Sequence, residues 1–217
     1  MRIAIAFLVL AASLSACGGG KDEPKSARPP TPPTSTTSTP LSTPMETDEP
    51  ELRLLSKNDL KAALIGLNDV PPGYTQDPTE EARKDKMFCD YKPPTMPKIG
   101  VTRGFTNDAD QGYVTTSLRQ YASAEAAKAN FDKLVDVMKT CKTDTDGGDV
   151  LHYTVMSAPQ LADGAIGIQI KVSGYTLLQN FVLDGPTLVS GGGVGLSAQE
   201  VANLLKRQVD LYEAAAK

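Results

Sequence analysis

The chain has 217 residues, with 22 Lys plus Arg against 26 Asp plus Glu, one His, three Cys and no Trp, for a formal net charge of -4. That length accommodates one domain or two small ones, and a 40% hydrophobic content is enough for a core. Mild acidity without any basic block argues against nucleic acid as a partner.

At the N-terminus Arg2 precedes IAIAFLVLAASLSA, an apolar run of signal-peptide length and short of the roughly 20 residues a membrane-spanning helix needs. Leu14-Ser15-Ala16-Cys17 follows where a processing site belongs and resembles the bacterial lipobox, in which small residues admit the lipoprotein signal peptidase. The resemblance implies that residues 1–16 are a lipoprotein signal peptide. It also implies that Cys17 becomes the mature N-terminus and carries a thioether-linked diacylglycerol, with palmitate among its acyl chains. Two chains meet the requirement for stable anchoring, at about 0.8 kcal/mol per buried CH2. The alternative is a plain secretory signal with an incidental cysteine. No second apolar run long enough to span a bilayer follows. The expected location is therefore the cell membrane, by lipid anchor, on the extracytoplasmic face.

Residues 17–50 are expected to form a stalk. Gly18 to Pro50 holds eight of the 16 prolines and a dense set of Ser and Thr, as in RPPTPPTSTTSTPLSTP, a composition that buries no core and favours extended, polyproline-like disorder. At about 3.1 Å per residue such a segment reaches on the order of 100 Å, and as a flexible coil nearer 30 Å. Such runs are either O-glycosylated or bare spacers.

Residues 51–217 are expected to be an α+β domain. Ser56 is placed to cap a helix from Lys57 to about Leu67, with Asp59 answering it and Leu55 stapling Leu60. Pro71, Pro72 and Gly73 break that helix, and a polar, irregular stretch runs to about Lys98. VTRGFT and GYVTTSLRQY flank the turn residues NDADQ and predict a hairpin. Ser123 opens a second helix, with Phe131, Leu134, Val135, Met138 and Cys141 on one stripe. Four strand-like segments follow TDTDGGD: VLHYTVMSA, AIGIQIKVS, YTLLQNFVLD and TLVSGGGVG. In the second, Ile166, Ile168, Ile170 and Val172 share one face. Ser197 and Glu200 form a capping box for a third amphipathic helix. The pattern predicts a twisted antiparallel sheet of about six strands, with three helices packed on its apolar face.

An oxidising exterior favours a disulfide between Cys89 and Cys141 once Cys17 is lipidated; the alternative is two separate buried thiols. No Cys-x-x-Cys spacing supports redox activity. Gly193-Val194-Gly195-Leu196-Ser197-Ala198 matches the spacing of a dinucleotide-binding fingerprint, but no second strand and no acidic residue about twenty positions on follow it before Lys217. A glycine-rich edge strand turning into a capped helix accounts for it, with Gly191 to Gly193 marking close approach by another strand or a ligand. Asp144, Asp146 and Asp149 invite a calcium site, but the glycines fall at the wrong places for an EF-hand loop and Val155 stands where its Glu belongs. A solvated turn is expected there. His152 is the only histidine and alternates onto the more polar sheet face; without HExxH, a G-x-S-x-G elbow or a free thiol, no catalytic, metal or cofactor residue is assigned.

The lipobox, the Pro/Thr stalk, LLSKNDL followed by VPPGY, the Cys before a hairpin, YASAEAAKANFDKLVDVMKTC and the closing strand-helix pair together resemble the sensor-like extracellular domain family of actinobacterial lipoproteins, the PknH-like extracellular domain. The resemblance spans about Leu52 to Ala216. It implies a twisted antiparallel sheet with helices and a cleft proposed to bind an unidentified ligand. The kinase ectodomain of that family has two disulfides, whereas this domain has cysteines for one. The expected function is a non-enzymatic, lipid-anchored envelope protein that binds or senses a lipid or cell-wall ligand. The alternative is a structural protein that docks another envelope protein through a sheet edge or apolar patch.

Overall fold

Ser56 caps the first helix as its spacing predicts. The computed structural model describes residues 52–78, 80–81, 88–89, 91–109, 111–146 and 148–217, so the expected signal peptide, Cys17 and the stalk lie outside the described residues. Helix α1 covers Lys57–Ala62, with Ser56 Oγ accepting the Asp59 N–H at 3.2 Å and donating to Asp59 Oδ2 at 2.7 Å. Leu55 and Leu60 are both buried beneath it. The helix stops at Ala63, short of the expected Leu67, because tertiary partners take the backbone groups of the next turn. Arg103 donates to the carbonyls of Lys61 and Leu64 at 3.1 Å and of Ile65 at 2.8 Å, while Gln208 donates to Ala63 O at 2.7 Å. Leu67–Asp69 then forms a 3-10 turn.

Nine strands join in one antiparallel sheet among the described residues. They are β1 (Thr75–Gln76), β2 (Glu80–Glu81), β3 (Ile99–Asn107), β4 (Gly112–Gln120), β5 (Thr143–Asp146), β6 (Asp149–Met156), β7 (Gly164–Val172), β8 (Tyr175–Asp184) and β9 (Thr187–Val194). The order is β1-β3-β4-β9-β8-β7-β6-β5, with β2 also paired to β3. The six expected strands are all present, so the expected count falls short by three short ones. Strands β1 and β2 are two residues each, too short to show alternation. Strand β5, read as a solvated turn, pairs Thr143 with His152 and Asp146 with Asp149, and Gly148 at φ +95° serves the reversal.

Strand β9 is not the expected edge. It lies between β4 and β8 and joins the β3–β4 hairpin to the β5–β9 meander. Its glycines permit that position through backbone crowding: a β-carbon on Gly192 would lie 2.2 Å from Leu178 O, and one on Gly193 would lie 2.4 Å from Tyr113 O. Another strand, not a ligand, makes the close approach.

The helices also occupy both faces, not one. On β8, Phe181 and Leu183 pack with Phe131, Leu134 and Met138 of α2 (Ala124–Thr140). The intervening Val182 packs with Leu205, Val209 and Tyr212 of α3 (Ala198–Ala216), together with Leu60 of α1. Because successive strand residues alternate faces, the sheet separates two cores. Burial of each large apolar side chain stabilises the fold by roughly 1.5–3 kcal/mol. Helix α3 begins at the expected capping box, with Glu200 N–H donating to Ser197 Oγ at 3.3 Å and Ser197 N–H to Glu200 Oε2 at 2.8 Å.

Candidate ligand-binding cleft

On the α3 face, the even-numbered residues of β8 point toward the helix. Leu178 and Val182 are buried apolar side chains, and between them stands Asn180, only 4% exposed. Its Oδ1 has no hydrogen-bond partner. A buried, unpartnered polar atom costs roughly 1–3 kcal/mol. The residue paired with Asn180 across β7 is Gly167, where a β-carbon would lie 2.8 Å from Asn180 Oδ1, 3.1 Å from Ser157 O and 3.2 Å from Met156 O. Only glycine lets the carboxamide lie against β7 here.

Asn180 lines a cleft of about 360 Å3, within the usual range for small-molecule sites. One wall is the start of α3, contributed by Ala198, Gln199, Val201 and Ala202; the other is the connection from β6 to β7, Met156–Pro159. The cleft exists because α3 crosses β9 and β8 while its first turn presents small side chains toward the β6–β7 connection. No Asp, Glu, His, Lys, Arg, Cys or Tyr lines it, and its one hydroxyl side chain, Ser157, has no ionisable neighbour in the lining to act as its base. The capping box engages the N–H groups of Ser197 and Glu200 and leaves those of Ala198 and Gln199 out of the box. The Glu200 carboxyl is held below its ordinary value by the Ser197 N–H and hydroxyl, against slight desolvation.

The residues singled out in the sequence lie elsewhere, with the exception of Ala198. Cys89 and Cys141 form the expected disulfide, with a Cα–Cα distance of 5.9 Å. It belongs to the α2 core, where Phe88 stacks edge-on against Tyr153 and Phe181 at 5.6 and 5.9 Å. Asp144 Oδ2 accepts the Cys89 N–H at 2.9 Å, and Asp149 accepts from Ser173. Asp144 and Asp149 of that hairpin are thus engaged with different partners, and no cluster of three metal-ligating side chains occurs among the described residues. His152 is exposed and pairs across β7 with Lys171. The Gly193–Ala198 segment follows a strand whose two neighbours are antiparallel, which is not the parallel arrangement of a dinucleotide fold. Asn180 itself escaped the sequence reading, although a lone amide between Leu178 and Val182 on one strand face is a visible break in the apolar pattern.

The chain shares its fold with the extracellular domain of PknH from Mycobacterium tuberculosis. That structure superposes with a TM-score of 0.61 at 12% identity, covering 74% of this chain and 97% of the PknH domain. An uncharacterized protein from Mycobacterium smegmatis, the Rv0999 ortholog, aligns with a TM-score of 0.45 at 8% identity over 76% of this chain and 98% of its own. No family model and no curated protein matches the sequence. No helix among the described residues is long and apolar enough to cross a membrane.

Proposed function

We propose that this protein is a lipid-anchored envelope lipoprotein, held at the extracytoplasmic face through Cys17, whose folded domain binds or senses an envelope-derived ligand in the cleft beside Asn180. The observation that carries this is a ligand-sized cleft without ionisable side chains, lined by Asn180, whose buried Oδ1 has no partner. The Cys89–Cys141 disulfide suits an oxidising compartment, and a fold shared with an extracellular domain of a mycobacterial protein supports the same location.

Docking of another protein through a sheet edge is the weaker alternative. One edge strand, β5, carries Asp144 and Asp146, and the opposite edge is occupied by β1 and β2 of two residues each. Charge and shortness are the usual means by which sheet edges resist added strands.

Native mass spectrometry of the full-length protein purified from its own membranes tests the binding function: a non-covalent excess mass that leaves on denaturation is expected, and a bare mass contradicts it. Anchoring is tested separately with Cys17→Ala, which is expected to lose incorporation of a palmitate analogue and leave the membrane fraction. Retention of label in that variant contradicts the anchor.

A further inference from the structure

Helix α3 packs on β9 and β8, and beyond it the same sheet face continues across β7, β6 and β5 with Lys171, His152 and Thr143 exposed. These residues and Thr176 of β8 stand directly opposite one another in successive strands: Thr143 with His152, His152 with Lys171, and Lys171 with Thr176. We propose that this row is a second binding site, separate from the cleft beside Asn180, and that it takes a terminal phosphate group through His152, Lys171 and Thr176.

The strand register brings the donors together. Residues directly opposite in antiparallel strands have β-carbons about 4.5–5.5 Å apart, so three donors on three adjacent strands fall within roughly 10 Å. They line a depression of about 400 Å3, with Val150 beside His152 and the Ser173-Gly174 turn at one end. Along β6, His152 lies about 13 Å from Met156 of the Asn180 cleft, at about 3.3 Å per residue.

Charge selects an anion. The Lys171 ammonium offers three donors and no acceptor, and the imidazole of His152 and the hydroxyl of Thr176 offer one each. No Asp or Glu lines the depression. On β5, alternation sends Asp144 and Asp146 to the opposite face, where both raise the Tyr153 phenol of the α2 core and Asp144 Oδ2 accepts the Cys89 N–H. Asp149 reaches the turn end, accepting from Ser173. Its charge keeps an anion away from the turn and over the His152 and Lys171 pair.

The spread of donors selects phosphate among anions. A terminal phosphate carries three free acceptor oxygens in a tetrahedral arrangement, one for each of β6, β7 and β8. A carboxylate has two oxygens in one plane and leaves one strand's donor unmet. The phosphate belongs either to a lipid headgroup or to a soluble or wall-linked molecule, and the two sources share this chemistry.

The test uses full-length protein purified from membranes in dodecyl maltoside without a histidine tag, its histidine labelled with 13C. His152 is the only imidazole in the chain, so its ring signals report this site. Glycerol phosphate and sodium acetate are titrated at fixed pH and ionic strength. Exposed charge contacts are individually weak, so a saturable shift with a midpoint on the order of 1 mM is expected for glycerol phosphate, and a midpoint at least about tenfold higher for acetate. Lys171→Gln is expected to raise the glycerol phosphate midpoint at least about fivefold and Thr176→Val about threefold. Lys128→Gln, on exposed α2 where Lys128 pairs with Asp132, is expected to leave it unchanged. In a second arm the micelles carry phosphatidic acid: saturation at a lower phosphate concentration than with glycerol phosphate assigns a lipid source, and an equal or weaker response assigns a soluble or wall-linked one. An acetate midpoint equal to that of glycerol phosphate overturns the ligand class. No saturation below about 100 mM, or an undiminished response in Lys171→Gln, overturns the site. Neither result bears on the cleft beside Asn180.

Discussion

The hydroxyl of Thr116 on β4 donates to the side-chain oxygen of Gln208 on α3 at 2.8 Å, across 92 residues of sequence. The same oxygen accepts the Ile65 N–H at 3.0 Å, and the Gln208 nitrogen donates to Ala63 O at 2.7 Å. One fully buried amide therefore ties together α3, the central sheet and the segment that ends α1. Gln208→Ala leaves a buried donor and a buried acceptor of the backbone unmet and opens a cavity; it is expected to cost roughly 3 kcal/mol. Thr116→Val is expected to cost roughly 1 kcal/mol, since Gln208 keeps its backbone contacts. Urea unfolding of both variants checks the ratio, and equal losses would contradict the assigned hub.

The three adjacent glycines of β9 should differ sharply. A β-carbon at Gly191 meets nothing nearer than Leu205 Cδ1 at 3.7 Å, an ordinary contact, whereas at Gly192 it meets backbone at 2.2 Å. Gly191→Ala is thus expected to fold with stability within about 1 kcal/mol of the parent, and Gly192→Ala to lose several kcal/mol or fail to fold. Thermal melts of the pair give the answer directly.

The disulfide holds Cys89 at φ +42°, a left-handed conformation that is costly for a residue with a β-carbon. It closes a separation of 52 residues, for which loop entropy predicts roughly 4 kcal/mol of stabilisation. Paired Cys89→Ala and Cys141→Ala substitutions should lower the unfolding free energy by about that amount, with β3 to β9 retained. Unchanged stability in the double variant would show that the bridge only follows the fold.

Alkaline pH should weaken both cores. Burial pushes the Tyr212 phenol up to about 12, with the Asp184 charge adding and the Thr187 hydroxyl opposing. Burial likewise pushes Tyr153 up to about 12, with Asp144 and Asp146 adding. In both cases the folded value lies above the ordinary 10.0, so the neutral phenol is the form the fold favours. Their contribution is fully present below pH 10.0 and is lost as pH rises from there through about 12. Denaturant midpoints measured between about pH 9 and 12 should fall, and Tyr212→Phe together with Tyr153→Phe should flatten the fall.

Much of this architecture is written locally. The alternation of Ile166, Ile168 and Ile170, the caps at Ser56 and Ser197 and the stripe from Phe131 to Cys141 announce their elements, because side-chain periodicity and orphan backbone groups act over a few residues. Strand β5 was hidden, since aspartate is depleted in strands and its pairing is set by the hairpin that follows. The central place of β9 was hidden too: strand order depends on pairings between segments more than 70 residues apart, as in Ser117 with Ser190, whose hydroxyls meet at 2.7 Å. The cleft required both. Asn180 looks like any strand residue until β8 is oriented, Gly167 is set opposite it and α3 is laid across the neighbouring strands.

The most direct measurement is a crystal structure of the full-length protein purified from the membranes of its own host. The account predicts ligand density between the first turn of α3 and the Met156–Pro159 connection, with a polar ligand atom within hydrogen-bond distance of the Asn180 carboxamide. A bound envelope molecule seated elsewhere, with this cleft empty, would contradict it.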